Sequence, residues 1–481
     1  MSMNLASLNL QPVLPEIVLA AMACVILLVD PFMPRRGSLV SYILALGTLA
    51  ALFLITLVQM SDTVRLSFGG MVVNDPMADL MKLVIYALVA AVFVMSRQYL
   101  KERGIDKGEY YMLGLFAVLG MMITVSANHL LLLYLGLELM SLSLYAMAAF
   151  KRDDGRVSEA AMKYFLLGAL ASGILLYGMS LIYGATGSLE LAAIAAAAAE
   201  GAADDIVLKA GLVMVVVGTV FKLGVAPFHM WLPDVYEGTP TAVTIFLAAA
   251  PKIAGLALLI RLLVDGLGPM LSDWQAMLII VAMLSMAIGN IVAIAQTSFK
   301  RMLTYSTIGH VGFILLGVLA GTAEGYSSAL FYTIAYAIMT IGGFGIILLL
   351  ARQGHEAEQL DDLKGLNDRS PVMAFVFLLL MFSMAGIPFT FGFWAKLAVL
   401  QSVVDVGLWW LALFAVLTAV IGAYYYLRAV KLVYFDKPED TQPLQADMNL
   451  KGVLVLSGAI MLVFGLYPTA LTALTAGAFG L

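Results

Sequence analysis

The chain has 481 residues, 62% of them hydrophobic and only 12% charged, with a formal net charge of −5. Soluble globular proteins carry about a quarter charged residues, so this chain cannot cover a water-facing surface. Its acidic balance argues against nucleic acid as a partner. The single cysteine, Cys24, cannot hold an iron–sulfur cluster or a zinc site, each of which needs several ligands.

The mean hydropathy is +0.99. Apolar runs of about 20 residues, each enough to cross a bilayer core, recur from one end to the other, so 1–481 reads as a single membrane domain of the all-α polytopic class. Asn4 to Gln11 is polar, lacks a basic region and runs straight into a span-length segment, so no cleavable signal is expected. The predicted spans are 12–30, 39–60, 76–98, 109–126, 128–150, 159–184, 207–231, 240–264, 276–297, 302–321, 327–350, 371–400, 408–431 and 451–471. Between the sixth and seventh, Gly187 to Asp205 is alanine-rich and acidic and is expected to form an external loop or short helix.

Basic residues test this count of fourteen. Arg35 and Arg36 fall in the first connection, Arg97, Lys101, Arg103 and Lys107 in the third, and Lys151, Arg152 and Arg156 in the fifth. Lys300 and Arg301 fall in the ninth, Arg352, Lys364 and Arg369 in the eleventh, and Arg428, Lys431, Lys437 and Lys451 at the thirteenth. Eighteen of the 26 basic residues thus sit at odd connections, and Arg65 alone clearly at an even one. Positive loops stay cytoplasmic, which places both termini on the outer, periplasmic side.

Two spans carry a matching interruption. Span seven contains Gly224-Val225-Ala226-Pro227-Phe228, and span twelve contains Gly386-Ile387-Pro388-Phe389. Proline removes a backbone donor and clashes with the preceding turn, and freed carbonyls inside a bilayer need protein or water partners. Equivalent segments five helices apart run in opposite directions, as in an inverted-topology repeat. The expected organisation is therefore an N-terminal three-helix part (1–108), two five-helix halves (109–264 and 276–431) and a C-terminal helix (451–471).

Ionisable residues at membrane depth are costly and ask for a reason. Glu138 is near the middle of span five; Lys222 and Lys252 are comparably deep in spans seven and eight. Lys396 follows the Pro388 break, and His310 lies about two turns into span ten. Lys163 is one turn from the cytoplasmic end of span six, where snorkelling explains it equally well. His229, at the end of span seven, and His310 each fit either a relay or a packing role. His129 lies near a span end and His355 in a loop; no histidine pair has ligand spacing on one helix, so haem ligation is not expected. A lysine held away from water binds its proton less tightly, and a nearby carboxylate restores that affinity. Such pairs can load, hold and release a proton without any cofactor.

The stretch Pro227-Phe228-His229-Met230-Trp231-Leu232-Pro233-Asp234-Val235-Tyr236-Glu237-Gly238-Thr239-Pro240-Thr241 resembles the signature of the antiporter-like membrane subunits of respiratory complex I. Within that group its Val-Tyr-Glu-Gly-Thr-Pro form is similar to the subunit N branch of bacterial NADH-quinone oxidoreductase. Leu135 to Ser141, Ala250-Pro251-Lys252 and Lys300 to His310 match as well, so the resemblance spans nearly the whole chain. It implies a fourteen-helix fold with two inverted five-helix repeats, and a proton path through Glu138, Lys222, Lys252 and Lys396. It also implies assembly with other complex I subunits, which would hold the flavin, the iron–sulfur clusters and most or all of the quinone site. The animal mitochondrial relatives lack the first three helices, so the full set points to a bacterial inner membrane. The alternatives are a subunit of a multisubunit cation/proton antiporter, against which Val235 to Pro240 speaks, and a purely structural subunit whose charges are packing ion pairs.

Overall fold

A computed structural model describes residues 9–33, 37–438, 444 and 447–481. Arg35 and Arg36, which contribute to the charge pattern, lie outside the described residues. The long elements are α-helices because a bilayer offers no water to unpaired backbone groups. In chain order, α1 (Leu14–Val29), α2 (Gly37–Gln59) and α3 (Pro76–Glu102) come first, with a short hairpin of β1 (Arg65–Ser67) and β2 (Val72–Asn74) between the last two. Asp75 starts α3 by accepting from the Ala78 amide, with Pro76 at the first position, where no amide donor is needed. Next come α4 (Gly108–Ser126), α5 (Leu130–Ala148), α6 (Gly155–Thr186), the short α7 (Leu191–Ala199) and α8 (Ile206–Leu223).

After α8 the chain turns through 224–230 before α9 (Trp231–Gly238), α10 (Thr241–Ala248) and α11 (Ala250–Leu259), which passes into a π-helical turn at Ile260–Gly266. The remainder comprises α12 (Leu271–Ile294), α13 (Phe299–Leu319), α14 (Ala323–Leu350), α15 (Leu366–Arg369), α16 (Pro371–Ala385), α17 (Phe391–Asp405), α18 (Trp409–Phe435), α19 (Met448–Leu466) and α20 (Thr469–Gly477).

Among the described residues, 13 helical segments are long and apolar enough to cross a membrane. The remaining expected span, the twelfth, consists of α16 and α17, each of 15 residues. Gly187 to Asp205 folds as the expected short helix, α7. Two features differ from the expectation. The last span was expected to run to 471, but α19 stops at Leu466 because Pro468 forces Tyr467 out of the helical region (φ −138°, ψ 74°). Span eight is also interrupted, at Ala249 (φ −99°, ψ −85°), two residues before Pro251.

Connections separate by parity, as an alternating fold requires. On one face, Arg103 at the third connection pairs with Glu356 of the eleventh at 2.8 Å, and Arg156 and Lys300 both reach Glu358. On the other, the hairpin bridges to Ala127, His129 bridges to Glu190, and Asp75 pairs with Arg261 at 2.8 Å. α13 and α14 are buried nearly all round, as are α10 and α11, so these helices form the core. α1, α2 and α19 are the most exposed and present apolar side chains outward.

Candidate proton-carrying axis

Glu138, Ser141 and Tyr145 are spaced three and four residues apart on α5 and so share one face. Lys222, in the last turn of α8, meets that face. Its Nζ is 3.6 Å from Glu138 Oε1 and donates to Ser141 Oγ at 3.0 Å and to the Tyr145 hydroxyl at 3.3 Å. Ser172 of α6 donates to the same Glu138 oxygen. The lysine side chain is 9% exposed and the glutamate 20%.

One residue beyond Lys222, α8 ends. Gly224 takes a left-handed conformation (φ 77°, ψ 36°), which only glycine adopts without strain, and the Val225 amide bonds back to the Val220 carbonyl at 3.0 Å. α16 ends the same way: Gly386 has φ 84° and ψ 36°, and the Ile387 amide reaches the Phe382 carbonyl at 2.9 Å. In both, the carbonyl just before the glycine accepts a lysine ammonium. Lys252 of α11 donates to the Leu223 carbonyl at 2.8 Å. Lys396 of α17 donates to the Ala385 carbonyl at 2.8 Å and to that of Met384 at 3.0 Å. Exposed carbonyls at a helix C-terminus carry partial negative charge and favour a cation there.

His310 of α13 is also buried. Its Nδ1 is 2.8 Å from the Tyr332 hydroxyl of α14 and its Nε2 is 3.0 Å from the Tyr426 hydroxyl of α18, which also bonds Ser306. The neighbouring Tyr336 donates to Thr307 at 2.9 Å. The core thus holds three separate polar groups: the Glu138–Lys222 pair with its hydroxyls, the two lysines seated on helix-end carbonyls, and His310 with its tyrosines.

A second set of charges links the odd-numbered connections. Asp234, at the start of α9, receives Lys163 at 2.8 Å and Arg301 at 3.2 Å; Arg301 also holds Glu237 at 2.6 Å. Arg156 donates to the Glu237 carbonyl at 2.9 Å and pairs with Glu358 at 3.1 Å. Lys300, 1% exposed, pairs with Glu358 at 2.7 Å and donates to the Thr239 carbonyl at 2.8 Å. Burial would raise the Asp234 carboxyl, but Lys163 and Arg301 outweigh it and hold that group below its ordinary range.

The family model described as NADH:quinone oxidoreductase/Mrp antiporter, TM, matches residues 127–422. A protein named NADH-quinone oxidoreductase subunit N from Thioalkalivibrio sulfidiphilus is 56% identical over 471 residues, covering 98% of both chains. The chain belongs to the NADH-quinone oxidoreductase subunit N family. Its fold matches a chain of respiratory complex I from Thermus thermophilus with a TM-score of 0.83 at 32% identity, over 96% of this chain and 100% of that one. A chain of the Mrp complex from Dietzia matches with a TM-score of 0.85 at 21% identity, covering 98% of this chain and 97% of that one. At that identity the Mrp likeness establishes the fold alone, so the subunit N relationship prevails over the antiporter alternative.

For this member of the subunit N family, the structure pairs Glu138 with Lys222, seats Lys252 on the carbonyl of the residue that follows Lys222 and Lys396 on the carbonyls of the second helix end, and buries His310 against tyrosines of α14 and α18. Lys163 does not join them; it is 42% exposed and belongs to the odd-face network. His229 lies in the turn after α8, and its Nδ1 has no hydrogen-bond partner among the described residues. The sequence reading missed Ser141 and Tyr145, although helical spacing from Glu138 points to them. It also missed Tyr332, Tyr426, Asp234 and Glu358, which come from elements distant in the chain.

Proposed function

We propose that this chain carries protons through the membrane part of a bacterial NADH-quinone oxidoreductase, using Glu138, Lys222, Lys252, His310 and Lys396. The chain is a membrane subunit of a proton-translocating enzyme, and among the described residues no cluster of histidine, cysteine, aspartate and glutamate could hold a metal ion. In this reading its neighbours are the other complex I subunits, which hold the flavin, the iron–sulfur clusters and most or all of the quinone site. It lies in the bacterial inner membrane with odd-numbered connections toward the cytoplasm and both termini outside, and 109–264 and 276–431 act as inverted halves around the two interrupted spans.

The observation that carries the reading is the buried Glu138–Lys222 pair, with Lys252 held on the carbonyl of Leu223, the next residue along the chain. Two unit charges 3.6 Å apart attract by on the order of 4 kcal/mol at an effective dielectric of 20. Moving one charge through 100 mV takes about 2.3 kcal/mol. Opening or closing this one pair is therefore enough to load or unload a lysine against a membrane potential. When Glu138 withdraws, the Lys222 proton loses its counter-ion, and the hydroxyls of Ser141 and Tyr145 offer it a way out. The helix ends at Leu223 and Ala385 give Lys252 and Lys396 partial negative charge but no carboxylate, so each holds its proton without a tight ion pair.

Lys163 and His229 have supporting positions in this reading, at the cytoplasmic edge. The test is a pair of replacements, Glu138→Gln with Lys222→Met, in the assembled complex reconstituted in vesicles. Proton uptake driven by NADH is expected to fall while the complex still assembles. Undiminished uptake in the double variant would show the pair to be structural.

A further inference from the structure

α11 is tied to its neighbours at its two ends. Ala249 (φ −99°, ψ −85°) breaks the chain between α10 and α11, and Pro251 follows in the first turn. Lys252 is the third residue of α11, and Ile253 to Ile260 carry only apolar side chains or none. Among the described residues, the directional side-chain bonds from this stretch to other helices therefore come from Lys252 at one end and Arg261 at the other. Arg261 is 4% exposed and lies in the π-helical turn that ends the span. One of its terminal nitrogens is 2.8 and 3.0 Å from the two carboxylate oxygens of Asp75. The other is 2.9 Å from Asp265, and Nε donates to the Val125 carbonyl at 3.2 Å. Asp75 also starts α3, and Val125 is the last residue but one of α4, where carbonyls lack an amide within their own helix. One side chain thus ties α11 to both α3 and α4.

We propose that Arg261 is a positioning residue for Lys252, holding α11 at the height and rotation that bring the lysine ammonium to the Leu223 carbonyl. The two residues are nine apart in the chain, roughly 13 Å along a helix. The helix between them is buried on every side. So short and enclosed a helix moves as one body, and a shift at Arg261 reaches Lys252. The planar guanidinium fixes direction as well as distance, because its donors meet a carboxylate on each of two edges and a carbonyl on the third. A lysine in its place would offer a point charge without that fork. A buried ion pair is often no more stabilising than apolar side chains of the same volume, so stability alone is a poor reason for an arginine here. The consequence for transport rests on the reading of Lys252 as a proton carrier; the positioning itself does not.

The experiment compares the intact parent complex with Arg261→Gln, by cryo-electron microscopy and by proton uptake in vesicles during NADH oxidation. In the variant, the Lys252 ammonium is expected to leave hydrogen-bond distance of the Leu223 carbonyl, to which it donates at 2.8 Å in the parent. Proton uptake per assembled complex is expected to fall by on the order of tenfold, as for loss of a hydrogen bond to a charged group. A merely stabilising arginine would lower the amount of complex and leave both of these readouts unchanged. Where Arg261→Gln yields no complex, Arg261→Lys, which keeps the charge and loses the fork, is read by the same two measures with the same expectation. Lys252 still seated on Leu223 in the assembled variant would overturn the proposal, whatever happens to uptake. Lys252 displaced with uptake intact would uphold the positioning and remove that lysine from the proton path.

Discussion

Lys252 donates at 2.8 Å to the main-chain carbonyl of Leu223, the residue directly after Lys222. The acceptor of one lysine is thus the chain neighbour of the other lysine, and the αL turn at Gly224 is what leaves that carbonyl exposed. Any displacement of the end of α8 moves both ammonium environments together. This arrangement leads to the first expectation.

Gly224→Ala should impair proton transport more than assembly. A Cβ there would lie 2.2 Å from Leu232 Cδ1, at a φ of 77°. The left-handed conformation alone costs about 1–2 kcal/mol for a residue with a Cβ. The outcome to look for in vesicles is a lower ratio of protons moved to NADH oxidised, with the complex still present on native gels.

Gly386→Ala tests the second helix end in the same assay. Its Cβ would meet Lys396 Cδ at 2.7 Å. A flexible side chain can move aside, so the cost to the fold should be limited to about 1–2 kcal/mol for the left-handed backbone at φ 84°. Lys396 would then leave the Ala385 carbonyl, and pumping should drop by roughly the tenfold that 1.4 kcal/mol represents. Normal pumping would detach that contact from transport.

Glu358→Gln should destabilise the chain strongly. Its partner Lys300 is 1% exposed, and breaking a buried pair by removing one member costs about 3–5 kcal/mol. Asp154→Asn, which removes the exposed Lys151–Asp154 pair, should cost less than about 1 kcal/mol. Thermal dissociation of the purified complex measures both, and equal shifts would contradict the contrast.

Acid should loosen the eleventh connection. Burial would raise the Glu356 carboxyl, but bonds from Arg103 and Tyr99 outweigh it and hold the group below its ordinary range. A carboxyl lowered by folding contributes stability that is present above its unfolded value, about 4.3, and is lost as pH falls through the folded one. Limited proteolysis of 351–365 should therefore accelerate below that pH in the native protein, and Glu356→Gln should flatten the dependence.

Much of this was legible in the residues. Gly224 with Pro227 and Gly386 with Pro388 announce the two helix ends, because glycine supplies the left-handed turn and proline bars continuation. The positions of Glu138 and Lys222 along their helices follow from counting residues, and that Lys300 and Arg301 share a face with the other odd connections follows from the alternation of the spans. The contacts made by Lys252 and Lys396 were not legible, since their acceptors are main-chain carbonyls and every residue has one. Nor was the seating of His310, whose tyrosines lie 22 and 116 residues away in the chain. Basic residues at odd connections signal topology, but nothing in their spacing says that Arg156 and Lys300 converge on Glu358.

Because the acceptors for Lys252 and Lys396 belong to the polypeptide backbone, no single codon encodes them and none can delete them. A variant survey that reads importance from side-chain tolerance will pass over Leu223 and Ala385 while flagging the glycines beside them. In this protein part of the machinery that holds a charge is written as shape, and it is altered only by changing how the chain turns.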